Sequence, residues 1–331
     1  MKKKILILFT GQPRLLREML PIHVKYYFDL KKIIESDIKF KDLDLEIDYK
    51  YTLWSSVDTA PQWSLLPDHV SDLVDENFIK DTIKNFHISH IGKEPKIEMY
   101  SNDCVREFLQ ELTDEMPENF KMAYLHNFTG SVSQFLIRER SVNNIEDYDF
   151  VIMTRTDVAL SGRAINHFFK NIVESILSPE NILVRNKNRI IEHYFYVTTM
   201  HYDTNLTFSC GDITFIGDGK AMSLLFLDYQ KKLKERFYEI FFGSKLQFPA
   251  IGGPHIFLLL HLTGNLSKNL IDDVNLEEES KIHTVTVRDN FDVFKGYLVK
   301  VIRLSDTETD NWPKTLEDVN LEEIVAAWDF K

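Results

Sequence analysis

Ile5-Leu6-Ile7-Leu8-Phe9, followed at once by Thr10-Gly11-Gln12-Pro13-Arg14, is the stretch from which the fold is read. Five consecutive apolar residues without polar alternation predict a strand buried on both faces, as in a parallel sheet. The glycine and proline break the run. Leu15, Leu16, Met19 and Leu20 then recur at helical spacing. Strand, glycine-containing turn and helix together open an α/β domain of the nucleotide-binding kind. A second run of the same character lies far along the chain. Tyr148-Asp149 leads into Phe150-Val151-Ile152-Met153, and Thr154-Arg155-Thr156-Asp157 follows. A buried strand thus delivers a polar cluster at its carboxyl end, where open α/β sheets bind ligands.

Between these runs, Glu46 to Leu53 is a strand candidate ending at Trp54-Ser55-Ser56. Asp58 to Glu118 reads as loops and short helices between sheet strands, and Phe120 to Asn144 as helical. Asn181 to Val184 and Thr207 to Ile216 are further strand candidates. Gly252-Gly253-Pro254-His255 opens an apolar helix through Leu262, and the acidic run Asp272 to Ser280 looks like a solvated loop. Thr284 to Val287 and Tyr297 to Arg303 are strand-like, and a last short helix runs to Trp328. The expected organisation is one Rossmann-type domain over residues 1–265, with a mostly parallel central sheet. Residues 266–331 form a C-terminal extension packed on it.

A chain of 331 residues can bury a large core, and 44% hydrophobic with 27% charged residues is ordinary globular balance. The formal net charge of −12 argues against nucleic acid as a partner, because phosphate binding needs a basic surface. The apolar run behind Lys2-Lys3-Lys4 is too short for a signal peptide, and no stretch reaches the roughly 20 apolar residues of a spanning helix. Cys104 and Cys210 make neither a metal-type pair nor a disulfide framework. A cytoplasmic setting is therefore expected, and the sequons at Asn127, Asn205 and Asn265 carry no meaning there.

Several residues could carry chemistry. Side chains alternate along a strand, so Arg155 and Asp157 leave one face while Thr154 and Thr156 leave the other. An Arg offers a planar fork to phosphate oxygens, and an Asp can hold a divalent cation that neutralises them. The alternative is an ion pair that merely fixes the loop. Gly11 admits a ligand close to the backbone, with donors from Gln12 and Arg14 beside a helix amino end, but taken alone the motif reads better as an ordinary strand-to-helix turn. Gly217-Asp218-Gly219-Lys220 fails the phosphate-loop pattern and reads as a turn. Asp212, inside an apolar strand after Cys210-Gly211, is either hydrogen-bonded structure or a general base. His255 is a capping or packing residue, or a ligand for metal or phosphate.

Taken in order, these segments resemble a family of bacterial and viral polysaccharide glycosyltransferases with the GT-A nucleotide-diphospho-sugar transferase fold. The resemblance rests on Gly11-Gln12-Pro13-Arg14, Leu53-Trp54, Ser133-Gln134-Phe135, the run Tyr148 to Asp157, and Asp212-Ile213-Thr214-Phe215-Ile216-Gly217 with Met222. It covers about the first four-fifths of the chain, and the order of the motifs carries more than any one of them. It implies transfer of a sugar from a nucleoside diphosphate sugar to a hydroxyl of a glycan acceptor. Thr10, Gly11, Gln12, Arg14, Trp54, Gln134, Arg155 and Asp157 would then bind the donor. Asp157 and His255 would hold a divalent metal, manganese or magnesium. Arg155 would stabilise the leaving diphosphate, and Asp212 would take the acceptor proton. This chain departs from the family in two places. Arg155 stands where the first carboxylate of an Asp-x-Asp motif would be, and His255 stands where similar chains have Glu. The rival classes are another α/β nucleotide enzyme, such as a nucleotidyltransferase, and a glycan-binding protein with a decayed site.

Overall fold

A computed structural model describes residues 2–13, 16–36, 42–58, 71–114, 132–160, 214–217, 219–231, 234 and 299–301. The first strand, β1 (Lys2–Gly11), is buried from Ile5 through Thr10, as its unbroken apolar run predicts. Helix α1 (Leu16–Ser36) follows and turns Leu16, Met19, Leu20, His23, Tyr26 and Leu30 inward at helical spacing. Strand β2 (Asp44–Trp54) then lies parallel to β1, with Ile5 opposite Ile47 and Gly11 opposite Leu53.

The region from Asp58 to Glu118 is more regular than the sequence suggests. Short strands β3 (Ser56–Asp58) and β4 (Ser71–Leu73) pair antiparallel. Helix α2 (Glu76–Ile91) has 16 residues. Asp75 caps its amino end by accepting from the Phe78 amide at 3.1 Å, and Gly92 closes the other end through its amide to Ile88. Strand β5 (Lys96–Tyr100) joins the central sheet beside β2, and α3 (Asp103–Asp114) follows.

Helix α4 (132–141) falls within the helical stretch expected from Phe120 to Asn144. Strand β6 (Phe150–Arg155) pairs parallel with β1 on the side away from β2, and β7 (Val158–Leu160) leaves the turn after it. Strand β8 (Thr214–Gly217) runs antiparallel to β6, and α5 (Gly219–Phe226) follows directly. Strand β9 (Val299–Val301) pairs antiparallel with β7. The expected boundary at residue 265, the strand candidates at 181–184 and 284–287 and the helix after Pro254 lie outside the described residues.

Among the described residues the central sheet has five strands in the order β5-β2-β1-β6-β8, four of them parallel. This is the α/β class expected, with a mostly parallel sheet. One face carries Ile5, Ile7 and Phe9 of β1, Tyr49, Tyr51 and Leu53 of β2, and Ile152 of β6. Those side chains pack against α1 and against Ile83 and Phe86 of α2. On the opposite face Lys50, 2% exposed, donates to the carbonyls of Ser141, the last residue of α4, and Asn143 just beyond it, and pairs with Glu98 at 3.1 Å. Chain order therefore runs outward from β1 through β2 to β5 and then returns to the other side of β1. The helices change face at that return. Between β1 and β6 the sheet has a topological switch point, where carboxyl strand ends diverge and leave a crevice.

Candidate functional site

Both strands that flank the switch point end in the polar residues singled out from the sequence. Thr10 is in register with Arg155 on one side and with Thr52 on the other, which places Glu98, Thr52, Thr10 and Arg155 in one row across the sheet. Gly11 ends β1 with φ of 122°, a conformation that disfavours any side chain. A β-carbon there would also stand 3.8 Å from the Thr156 hydroxyl oxygen.

Thr156 ties the site together. Its amide donates to the Thr10 carbonyl at 3.3 Å, and its hydroxyl donates to the Gln12 carbonyl at 2.5 Å. Its own carbonyl accepts from Nε2 of His23, at 3.1 Å. One buried residue thus fastens the turn after β6 to β1, to the turn after β1 and to α1. On either side of it, Arg155 and Asp157 form a two-pronged pair. Nε donates to Oδ1 at 2.8 Å and Nη2 to Oδ2 at 2.7 Å. The two side chains are 12% and 8% exposed, so the pair is largely desolvated. Desolvation raises the strength of such a pair and also the cost of leaving either partner alone.

The structure brings Thr10, Gly11, Gln12, Arg155 and Asp157 to one place. Trp54 ends the adjacent strand, 1% exposed, and lies under the Arg140 guanidinium, which stands 5.8 Å from its ring centroid and 4.8 Å from that of Tyr100. Gln134 sits on α4, where its side-chain oxygen accepts from Nη2 of Arg138 at 3.3 Å. Arg14, Asp212 and His255 lie outside the described residues. Tyr148 and Asp149 hold the start of β6 in place. The Tyr148 hydroxyl donates to Asp48 at 2.8 Å, and Asp149 accepts from Lys3 and from the Lys4 amide. The glycines read as a turn end β8 and open α5. The Gly219 amide donates to the Tyr148 carbonyl at 2.9 Å, and a β-carbon on Gly219 would fall 1.9 Å from the Ile145 carbonyl oxygen.

Two participants were missed from sequence. Thr156 was expected only to face away from Arg155, yet it organises the turn. His23 carried a legible signal, because it is a polar residue at i+3 and i+4 from Leu20 and Met19, on the apolar face of α1. Burial, and then His87, push the His23 imidazole well below its ordinary pKa, against the opposing bond to Thr156.

Whether this arrangement suits a divalent cation follows from the donor set. Both Asp157 oxygens face the Arg155 guanidinium, and among the described residues no three His, Cys, Asp or Glu side chains gather as a metal site requires. The described residues alone do not make a metal centre. They make a two-pronged Arg155–Asp157 pair at the carboxyl end of β6, beside the end of β1.

Fold and site together define an α/β domain of the switch-point class, with Thr10-Gly11-Gln12 and Arg155-Thr156-Asp157 at the carboxyl ends of β1 and β6. No family model matches the chain, and no curated protein matches it. Among solved structures it is similar to mouse xyloside xylosyltransferase 1 in its apo form. The sequence identity is 12% and the TM-score 0.29, over 80% of this chain and 84% of that one. Among the described residues no helix is long and apolar enough to cross a membrane, and Cys104 is a free thiol.

Proposed function

We propose that the protein is a glycosyltransferase that takes a sugar from a nucleoside diphosphate donor and passes it to a hydroxyl of a glycan. The observation that carries this reading is the Arg155-Thr156-Asp157 turn, fixed by three hydrogen bonds at the switch point beside Gly11 and Gln12. A diphosphate seated there would meet the Arg155 fork, preorganised by Asp157. Negative charge builds on the diphosphate as the glycosidic bond breaks, and a fixed guanidinium favours that charge most as it develops. Thr10, Gly11 and Gln12 would hold the donor along β1, and Trp54 would close the site on the β2 side. Asp212 is the candidate to accept the acceptor proton. A role in assembling a bacterial or viral polysaccharide in the cytoplasm is supported by the order of the sequence motifs.

One observation favours a second reading. The Arg155–Asp157 pair already satisfies both partners' charges, as it would in a glycan-binding protein that no longer turns over. Calorimetry with UDP, GDP, CDP and dTDP, each with and without manganese, separates the cases. The transferase reading expects at least one of them to bind, and release of that nucleoside diphosphate from a matching sugar donor. Failure of all four to bind would end it. Binding that tightens with manganese would bring a metal on Asp157, with His255 as a further ligand, into the site.

A further inference from the structure

Behind the site turn runs a chain of buried hydrogen bonds whose proton order is determined. The Thr156 carbonyl can only accept, so Nε2 of His23 carries the proton between them at 3.1 Å. A neutral imidazole then has a bare Nδ1, which must accept from the Tyr51 hydroxyl 3.2 Å away. With its single proton given to His23, the Tyr51 oxygen is left to accept from Nε2 of His87, at 2.8 Å. His87 in turn has a bare Nδ1, and that atom is buried with no hydrogen-bond partner among the described residues. The assignment closes without contradiction. His23, Tyr51 and His87 come from α1, β2 and α2, and both histidines are fully buried. The His23 ring stacks on Phe9 at 3.7 Å between centroids, and the Tyr49 hydroxyl donates to the His23 carbonyl at 2.9 Å. Burial holds both imidazoles neutral: His23 lies well below its ordinary pKa, and His87 is pushed down to about 3 by burial and then by His90. The ring therefore has one available orientation and one tautomer.

We propose that His23 is a positioning residue for the site turn. Ordered by Tyr51 and His87, it holds the Thr156 carbonyl and thereby sets where Arg155 and Asp157 present their pair. The proposal rests on the reading that this turn meets a donor diphosphate. The ring stacks on Phe9 and lies tilted against Tyr26 and Tyr51, aromatic contacts that a hydrocarbon ring would also make. A histidine that only filled volume would be replaceable by phenylalanine. One that positions the turn would not be.

The test uses the full chain in three forms: wild type, His23→Phe and His23→Gln. Phenylalanine keeps the stack on Phe9 and loses both hydrogen bonds. Glutamine can still donate to Thr156 and accept from Tyr51. Whichever of UDP, GDP, CDP and dTDP the wild type binds is measured against its parent nucleoside. His23→Phe is expected to weaken the diphosphate about tenfold while leaving the nucleoside nearly unchanged, and His23→Gln to recover most of the loss. Nitrogen NMR of labelled histidine should find the wild-type His23 and His87 rings both as the Nε2–H tautomer. Equal affinities in wild type and His23→Phe, or an Nδ1–H tautomer on His23, would overturn the proposal. Should none of the four nucleotides bind, the functional reading fails by itself. Amide exchange at Thr156 and Asp157 then decides the positioning claim, with acceleration in His23→Phe supporting it and no change refuting it. If His23→Phe does not fold, Tyr51→Phe removes the ordering hydroxyl without touching the turn, and the same readings apply.

Discussion

Replacing Thr156 by valine isolates the bond that joins the two site turns. Valine matches threonine in volume and branching, so the 2% exposed pocket stays filled, and only the hydroxyl is lost. That hydroxyl donates to the Gln12 carbonyl at 2.5 Å. A net hydrogen bond contributes about 0.5–1.5 kcal/mol, and orphaning a buried acceptor costs about 1–3 kcal/mol. Gln12 is only half-buried, so water can replace the lost donor, and the smaller figure applies. A loss of about 1 kcal/mol in a chain of this length lowers the melting temperature by only about 1–2 °C. The functional effect should be larger than the thermal one. Without the tie, the turn keeps the Thr10 and His23 bonds, but the Arg155–Asp157 pair loses its fixed place beside Gln12. The assay pairs thermal unfolding with nucleoside diphosphate affinity for Thr156→Val and Thr156→Ser. Serine keeps the hydroxyl and should restore affinity. If serine fails as badly as valine, the methyl group and not the bond to Gln12 holds the turn, and the argument is refuted.

Gly219→Ala would drive a β-carbon to 1.9 Å from one backbone oxygen and 2.9 Å from another, neither of which can rotate away. Its cost should lie at the upper end of the ~1–3 kcal/mol typical of overpacking, visible as a fall in melting temperature; an unchanged melt would show that the loop before β6 has room to move. Stability should also depend on pH through His87, which burial, and then His90, push from its ordinary 6.5 down to about 3. The unfolded chain then binds the extra proton, so this contribution is complete above pH 6.5 and is lost as pH falls from there toward 3. Between pH 7 and pH 5 the loss from His87 alone is about 2 kcal/mol, with His23 acting in the same direction. Urea midpoints at the two pH values measure it, and His87→Phe should flatten the difference; the same slope in both proteins would place the titration elsewhere.

The strands buried on both faces were legible because an uninterrupted apolar run has one good home, the interior of a parallel sheet. β1 and β6 follow from that rule, whereas β2 carries Glu46, Asp48 and Lys50 between its apolar residues. Strand β5 did not announce itself. Among the described strands it lies at the sheet edge, where Lys96 and Glu98 meet solvent and Lys50, so its pattern resembles a loop. Helix α2 was passed over although its caps, Asp75 and Gly92, stand in the sequence, because only Ile83, Phe86 and His87 turn fully inward. At the site, the pairing of Arg155 with Asp157 could be foreseen from their spacing of two. The part played by Thr156 could not. Two of its partners are backbone carbonyls and the third is the His23 ring, and the nearer of the two carbonyls lies 144 residues away in sequence. His23 shows the opposite case: its place on the apolar face of α1 was readable, but its partners were not.

The central claim is that the Arg155 fork serves a diphosphate at the β1–β6 switch point. It is tested most directly by Arg155→Lys, which keeps the positive charge beside the buried Asp157 and removes the planar pair of donors. Affinity is measured for a nucleoside diphosphate and for its parent nucleoside, in wild type and variant, with the melting temperature recorded alongside. The account predicts a loss of about tenfold or more for the diphosphate and little change for the nucleoside, in a protein that melts within a few degrees of wild type. A lysine variant that binds both ligands as the wild type does, or one that loses stability and no selectivity for the diphosphate, would show that the pair only holds its own turn together.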